Sequence, residues 1–213
     1  MYASRMIHLT ALAAASITAA TKATFTGFSV VRGQANPNGN VVWEIRANFD
    51  TVGLGAGQQW VFLNAYDWTQ IAGSLQALHS DGQASWDASF TNAGNASTDS
   101  YVTATGTYGA GTALDPNFLP SANGSSIPAL AGWYDATPTS ENLVDGSTLS
   151  FRVAQIVRSP MASLFVGSLS LTYKASGTAV GIFGNGTFVI PGIPAPGAVA
   201  LAGLAGLTGR RRR

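Results

Sequence analysis

The chain has 213 residues, 46% hydrophobic and 10% charged, with two histidines and no cysteine. That balance excludes bulk disorder, which needs low hydrophobicity and high net charge, and the missing thiol excludes Cys nucleophiles, iron–sulfur clusters, Cys-based zinc sites and a lipidated-Cys anchor. The formal net charge of +1 belongs to the ends: between residues 24 and 196, Arg32, Arg46, Arg152, Arg158 and Lys174 stand against all ten acids, a balance of −5, which would repel a phosphate backbone and argues against nucleic-acid binding.

Met1 to Ala23 reads as a secretion signal helix. Arg5 supplies the positive start, an apolar stretch runs from Ile7 to Ala20, and Thr18/Ala20 or Thr21/Ala23 place small residues where signal peptidase needs them. As a first helix of the domain the stretch would need burial on every side, because it has no polar face.

From Thr24 onward the main signal is period-2 alternation. In Val41–Phe49 one face carries Val41, Trp43, Ile45, Ala47 and Phe49, and the other Glu44, Arg46 and Asn48. Such a strand has one buried and one wet face, as in an antiparallel sheet. Leu149–Val153 and Ser168–Tyr173 alternate in the same way. Shorter strand candidates are Phe25–Arg32, Gln59–Asn64, Ala84–Thr91, Tyr101–Tyr108 and Thr178–Ile190, and Ala72–His79 fits a short helix. Asn36-Pro37-Asn38-Gly39, Gly53–Gly57, Asp81-Gly82, Asn92–Asn95, Asp145-Gly146 and Gly184-Asn185-Gly186 supply the turn chemistry between them. Gly109–Glu141, with four prolines, reads as a long crossover loop. These elements predict an all-β domain over residues 24–190, an antiparallel β-sandwich of roughly eight strands, with the jelly roll as one form of it.

Chemistry-bearing patterns are sparse. His79 is the domain's one histidine; followed by Ser80 and Asp81 it makes no triad, since triad members meet in space from distant segments, and it reads as an exposed loop residue. Asp99, Asp115 and Asp145 are candidates for calcium, but no Asp-x-Asp-x-Asp-Gly loop is present and no metal or other cofactor is expected. Aromatic residues stand beside acids in Tyr66-Asp67-Trp68, Trp86-Asp87 and Trp133-Tyr134-Asp135. A sugar offers an apolar C–H face and a rim of hydroxyls, so Trp68, Trp86, Trp133 and Tyr134 are the candidate glycan contacts. Neighbouring strand residues point to opposite faces, and the alternative is a core aromatic beside a surface Asp.

After Ile190 the chain changes character. Pro194-Ala195-Pro196 is followed by thirteen uncharged residues, Gly197–Gly209, and by Arg210, Arg211, Arg212 and Arg213. The prolines stop a strand and suit a helix start. The apolar helix is shorter than the ~20 residues that cross a bilayer unaided, and the arginines would stay cytoplasmic by the positive-inside rule. Residues 191–213 resemble the PEP-CTERM sorting tail of bacterial surface proteins: a Pro-x-Pro, a small-residue apolar helix and a basic terminus, in that order. The family's usual middle residue is Glu, where this chain has Ala195. The resemblance implies handling by an exosortase after signal peptidase, a membrane-held C-terminal helix, cleavage near the Pro motif, and deposition on the cell surface or in the extracellular matrix. The expectation is a non-enzymatic exported protein with a structural or interaction role. A carbohydrate-binding module for surface or matrix polysaccharide is the second reading, and an exported glycan-active enzyme the third.

Overall fold

The computed structural model describes residues 24–50, 60–118, 124–136, 143–144, 150–174 and 181–192. In chain order the strands are β1 (Thr24–Ala35), β2 (Val41–Asp50), β3 (Trp60–Gly73), β4 (Tyr101–Val102), β5 (Thr112–Leu114), β6 (Trp133–Asp135), β7 (Leu143–Val144), β8 (Ser150–Arg158), β9 (Phe165–Lys174) and β10 (Ile182–Ile190). Two short 3-10 turns, Ala88–Phe90 and Pro116–Phe118, are the helical pieces among the described residues. The protein is all-β, with two antiparallel sheets: a four-stranded one in the order β1-β2-β8-β4, and a six-stranded one in the order β10-β9-β3-β6-β5 with β7 paired to β3.

The alternation predicted for β2 is the burial observed. Val41, Trp43, Ile45, Ala47 and Phe49 are buried, while the residues between them are half-buried. In β9 the odd positions Phe165, Leu169, Leu171 and Tyr173 go inward likewise. The inward residues of both sheets share one core, closed by Trp68, Trp133, Phe151, Ile156, Phe188 and Ile190.

At one edge β1 and β10 meet through an aromatic seam. Phe25 lies edge-on to Phe28 and Phe49, Phe28 to Phe188, and Phe49 to Tyr173. The Phe25 N–H donates to the Tyr173 hydroxyl at 3.0 Å, tying β1 of one sheet to β9 of the other. The glycines opposite this seam were expected to form a turn. They lie instead inside β10, paired Gly184 to Leu171 and Gly186 to Leu169. A Cβ on Gly184 would stand 2.4 Å from Phe25 Cδ1, and one on Gly186 3.1 Å from Phe28 Cδ2. Their role is space for the aromatics, as when a ring covers a strand glycine.

Other departures have equally local causes. Ala72–His79 is not helical: β3 runs to Gly73, and Leu75 and Ala77 are buried between exposed Ser74, Gln76 and Leu78, a period of two rather than 3.6. Ala84–Thr91 makes isolated bridges and a 3-10 turn, not a strand. There the Asp81 carboxylate accepts from the N–H groups of Gln83, Ala84 and Ser85, and Asp87 from that of Ser89, diverting backbone donors from a ladder. Of Tyr101–Tyr108 only the first two residues pair; Thr103 Oγ1 then donates to the Thr107 carbonyl and closes a turn. The expected crossover loop contributes β5 and β6, which join the six-stranded sheet. At three residues each, neither shows a readable period. Gly39 and Gly82 do hold left-handed turn positions, with φ of 77° and 81°. The expected signal helix and C-terminal helix lie outside the described residues.

Candidate functional site

The aromatic–acid pairs separate in three dimensions. Trp68, Trp86 and Trp133 are core residues, each 1% exposed or less. Trp68 stacks on Phe165 at 17° between ring planes. The indole N–H of Trp86 donates to the Ser126 carbonyl at 3.2 Å, and that of Trp133 to the Thr103 carbonyl at 3.1 Å. None of the three offers a face to a sugar, which corrects that expectation: these large rings supply apolar area to the core, where the indole N–H groups of Trp86 and Trp133 find their acceptors. Tyr134 alone of the four reaches solvent, at 44%.

His79 is not an exposed loop residue. Its side chain is 3% exposed and lies edge-on to Trp86 at 4.8 Å. Nε2 is 2.9 Å from the Gly124 carbonyl, which can only accept, so Nε2 carries a proton. Nδ1 stands 3.6 Å from Asp99 Oδ1. Asp99 also accepts from the Ser80 N–H at 3.0 Å and the Thr91 hydroxyl at 2.6 Å. Burial alone would push this carboxyl's pKa up; the adjoining His79, Thr91 and Ser80 together hold it below the ordinary value. Ser80 Oγ bonds to Thr98 Oγ1 at 2.6 Å, away from the ring. The cluster is a buried structural knot between the 77–80 and 98–100 segments.

Of the acids considered for calcium, Asp99 is spent in that knot, and Asp115 Oδ1 accepts from the Asn117 N–H at 3.0 Å; Asp145 lies outside the described residues. Among the described residues no three His, Cys, Asp or Glu side chains gather where a metal could be held. Nor is any helix among them long and apolar enough to cross a membrane. Pro194, Ala195, Pro196 and Arg210–Arg213 of the sorting tail fall outside the described residues.

The surface that combines polar groups, aromatics and concavity is the outer face of the six-stranded sheet. Strand register lays its outward residues in rows. Phe183 pairs with Thr172, Thr172 with Asn64, and Asn64 with Tyr134. In the next row Asn185 pairs with Ser170 and Ser170 with Tyr66; then Thr187 pairs with Ser168 and Ser168 with Thr69. Two adjoining hollows of about 270 and 180 Å3 lie along these rows and share Ser170 and Asn185. Among the described residues lining them, Asp67 alone is charged at neutral pH. Asp67 sits in a bulge, where the pairing slips between Tyr66 and Thr69, and has φ of 55°. Phe183 is 73% exposed. The Oδ1 atom of Asn64 is buried with no hydrogen-bond partner among the described residues. Short side chains thus form a floor, with Tyr66, Phe183 and Tyr134 rising around it.

Of this face, Tyr134 is a glycan-contact candidate legible in the sequence, and Tyr66 and Asp67 stand out there as an aromatic–acid pair; Phe183, Thr172, Asn64, Ser170 and Asn185 do not. The clean alternation of Ser168–Tyr173 marks a wet face, yet only pairing shows that Phe183, Asn185 and Tyr66 lie beside it. Compared with known proteins, the chain matches no family model, no curated protein and no solved structure.

Proposed function

We propose that the protein is an exported bacterial surface or matrix protein, in which a non-enzymatic antiparallel β-sandwich is carried between a removable leader and an exosortase-type sorting tail. The observation that carries this reading is the pair of sequence patterns at the two ends: a charged start and apolar run with small residues through Ala23, and a Pro-x-Pro, apolar, four-arginine tail from Pro194 to Arg213. The described strands all lie between them, the first pairing Thr24 with Asp50 and the last Ile190 with Phe165. Two antiparallel sheets sharing one core support a sandwich. The hairpin partners β1–β2 and β9–β10 each stay within one sheet, which favours a plain sandwich over the jelly roll. In this reading Pro194, Ala195 and Pro196 form the recognition element, Gly197–Gly209 the membrane-held helix and Arg210–Arg213 its cytoplasmic stop.

The test is intact mass with terminal sequencing of the protein recovered from the native envelope and medium. Loss of residues up to Ala20 or Ala23, with truncation near Pro196, is the expected result. Retention of Gly197–Arg213 on most molecules would sink the sorting step and leave a tail-anchored protein. An intact Met1 in the cytosol would overturn export itself.

A further inference from the structure

We propose that the outer face of the six-stranded sheet binds a neutral glycan chain, laid across β10, β9, β3 and β6 against Phe183, Tyr66 and Tyr134. The inference deepens the surface-protein reading, on which its access to extracellular glycan rests.

A pyranose ring needs two unlike contacts at once: an aromatic edge or face for its C–H groups, and amides or hydroxyls within reach of its rim. This face supplies both in register. Phe183 and Tyr134 end one cross-strand row with Thr172 and Asn64 between them. Neighbouring strands lie ~4.8 Å apart, so the row spans about 14 Å over its three gaps, a length for several linked sugar rings. Tyr66 rises beside it, one row along β3.

The exposure of its aromatics sets this face apart from an ordinary wet sheet surface: Phe183 is 73% and Tyr134 44% exposed, at the two ends of one polar row, and exposed large apolar groups grouped on one face mark interaction surfaces. Asp67, in the bulge that bounds the larger hollow, adds a carboxylate within reach of a sugar hydroxyl there.

Charge selects the class of glycan. The hollows are lined by hydroxyls, an amide and one carboxylate, and the unit from residue 24 to 196 carries a balance of −5. An acidic polysaccharide would be repelled, and nothing on the floor offers it a cation. A neutral chain fits.

The test uses the full chain, kept soluble in a mild non-ionic detergent, in affinity electrophoresis through gels containing hydroxyethylcellulose, dextran or alginate, and in calorimetric titration with cellohexaose. Retardation by a neutral glucan and not by alginate is expected. Phe183→Ala and Tyr66→Ala should each weaken binding about tenfold, equivalent to ~1.4 kcal/mol. Thr187→Lys, which fills the larger hollow from an exposed strand position, should weaken it without removing an aromatic. Met161→Ala, exposed on the β8–β9 connection, should leave it unchanged, and unfolding midpoints of all four variants should confirm the fold. Absence of retardation in every neutral gel, preference for alginate, or binding that survives Phe183→Ala and Thr187→Lys would overturn the proposal. A sorted protein that binds no neutral glycan would refute the glycan face alone. A chain that binds yet keeps Met1 in the cytosol would refute the surface reading instead.

Discussion

Replacing Gly184 with alanine isolates the contact that holds β1 of one sheet to β10 of the other. The added Cβ would lie 2.4 Å from Phe25 Cδ1 and 2.8 Å from Cγ, and the whole ring is bounded by Phe28 and Phe49 at centroid distances of 5.0 and 5.7 Å. The ring cannot retreat without disturbing the seam, so the change is an overpacking one. Such insertions cost about 1–3 kcal/mol. For a chain of 150–250 residues each kcal/mol moves Tm by ~2–4 °C, and Gly184→Ala should lower it by roughly 2–12 °C. Phe25→Ala should also destabilise, by less than the ~3–5 kcal/mol of a fully buried phenylalanine, because Phe25 is only half-buried. The informative variant is the double one. With the ring gone the new Cβ keeps only a tight 3.1 Å contact with the Cβ of residue 25, and alanine restricts the unfolded chain more than glycine does, so Gly184→Ala should cost clearly less in the Phe25→Ala background. A cycle of urea unfolding curves should then give a coupling energy of about 1 kcal/mol or more between the two positions. If Gly184→Ala costs the same with and without the Phe25 ring, then β10's glycines are not there to admit β1, and the account of how the sheets join fails.

Two further predictions concern buried polar groups. Asp99 has a folded-state pKa below its ordinary 3.8, so its stabilisation is fully present above that value and is lost as pH falls through the folded pKa. Asp99→Asn should therefore lower the urea midpoint at neutral pH, and the gap to the native chain should close on acidification between about pH 5 and 2; a gap that stays constant would refute the role. Arg158 is 1% exposed, burial lowers its pKa, and its Nη2 donates to the Ser74 and Ser163 carbonyls at 3.0 and 2.6 Å. Arg158→Met replaces volume but strands both carbonyls, at about 1–3 kcal/mol each, so a loss of ~2–6 kcal/mol in denaturant unfolding is expected. A methionine variant as stable as the native chain would show that the guanidinium contributes packing and nothing more.

Local chemistry determined a good deal by itself. The period-2 alternation, the scarcity of charge and the turn residues mark the chain as β-rich. The alternation in β2, β9 and the first residues of β8 (150–153) assigns which side is dry, because a pleated strand turns successive side chains to opposite faces wherever it sits; from Val153 to Arg158 β8 is buried on both faces. Very short strands escaped that reading: β4, β5 and β6 are two or three residues long, too few for a period to show. An aromatic next to an acid carries no sign of which of the two goes inward, and Trp68 and Tyr134, similar in sequence context, went opposite ways. His79 reads as a surface residue until the 98–100 segment folds over it with Asp99. Gly184 and Gly186 read as a turn until Phe25 and Phe28 arrive from residues more than 150 positions earlier. Tertiary structure alone decided the candidate binding face, since a wet strand surface becomes a site only when particular neighbours lie beside it. Strand order placed Phe183, Ser170, Tyr66 and Tyr134 on one surface, and that order is set by how the whole core packs, which no single strand encodes.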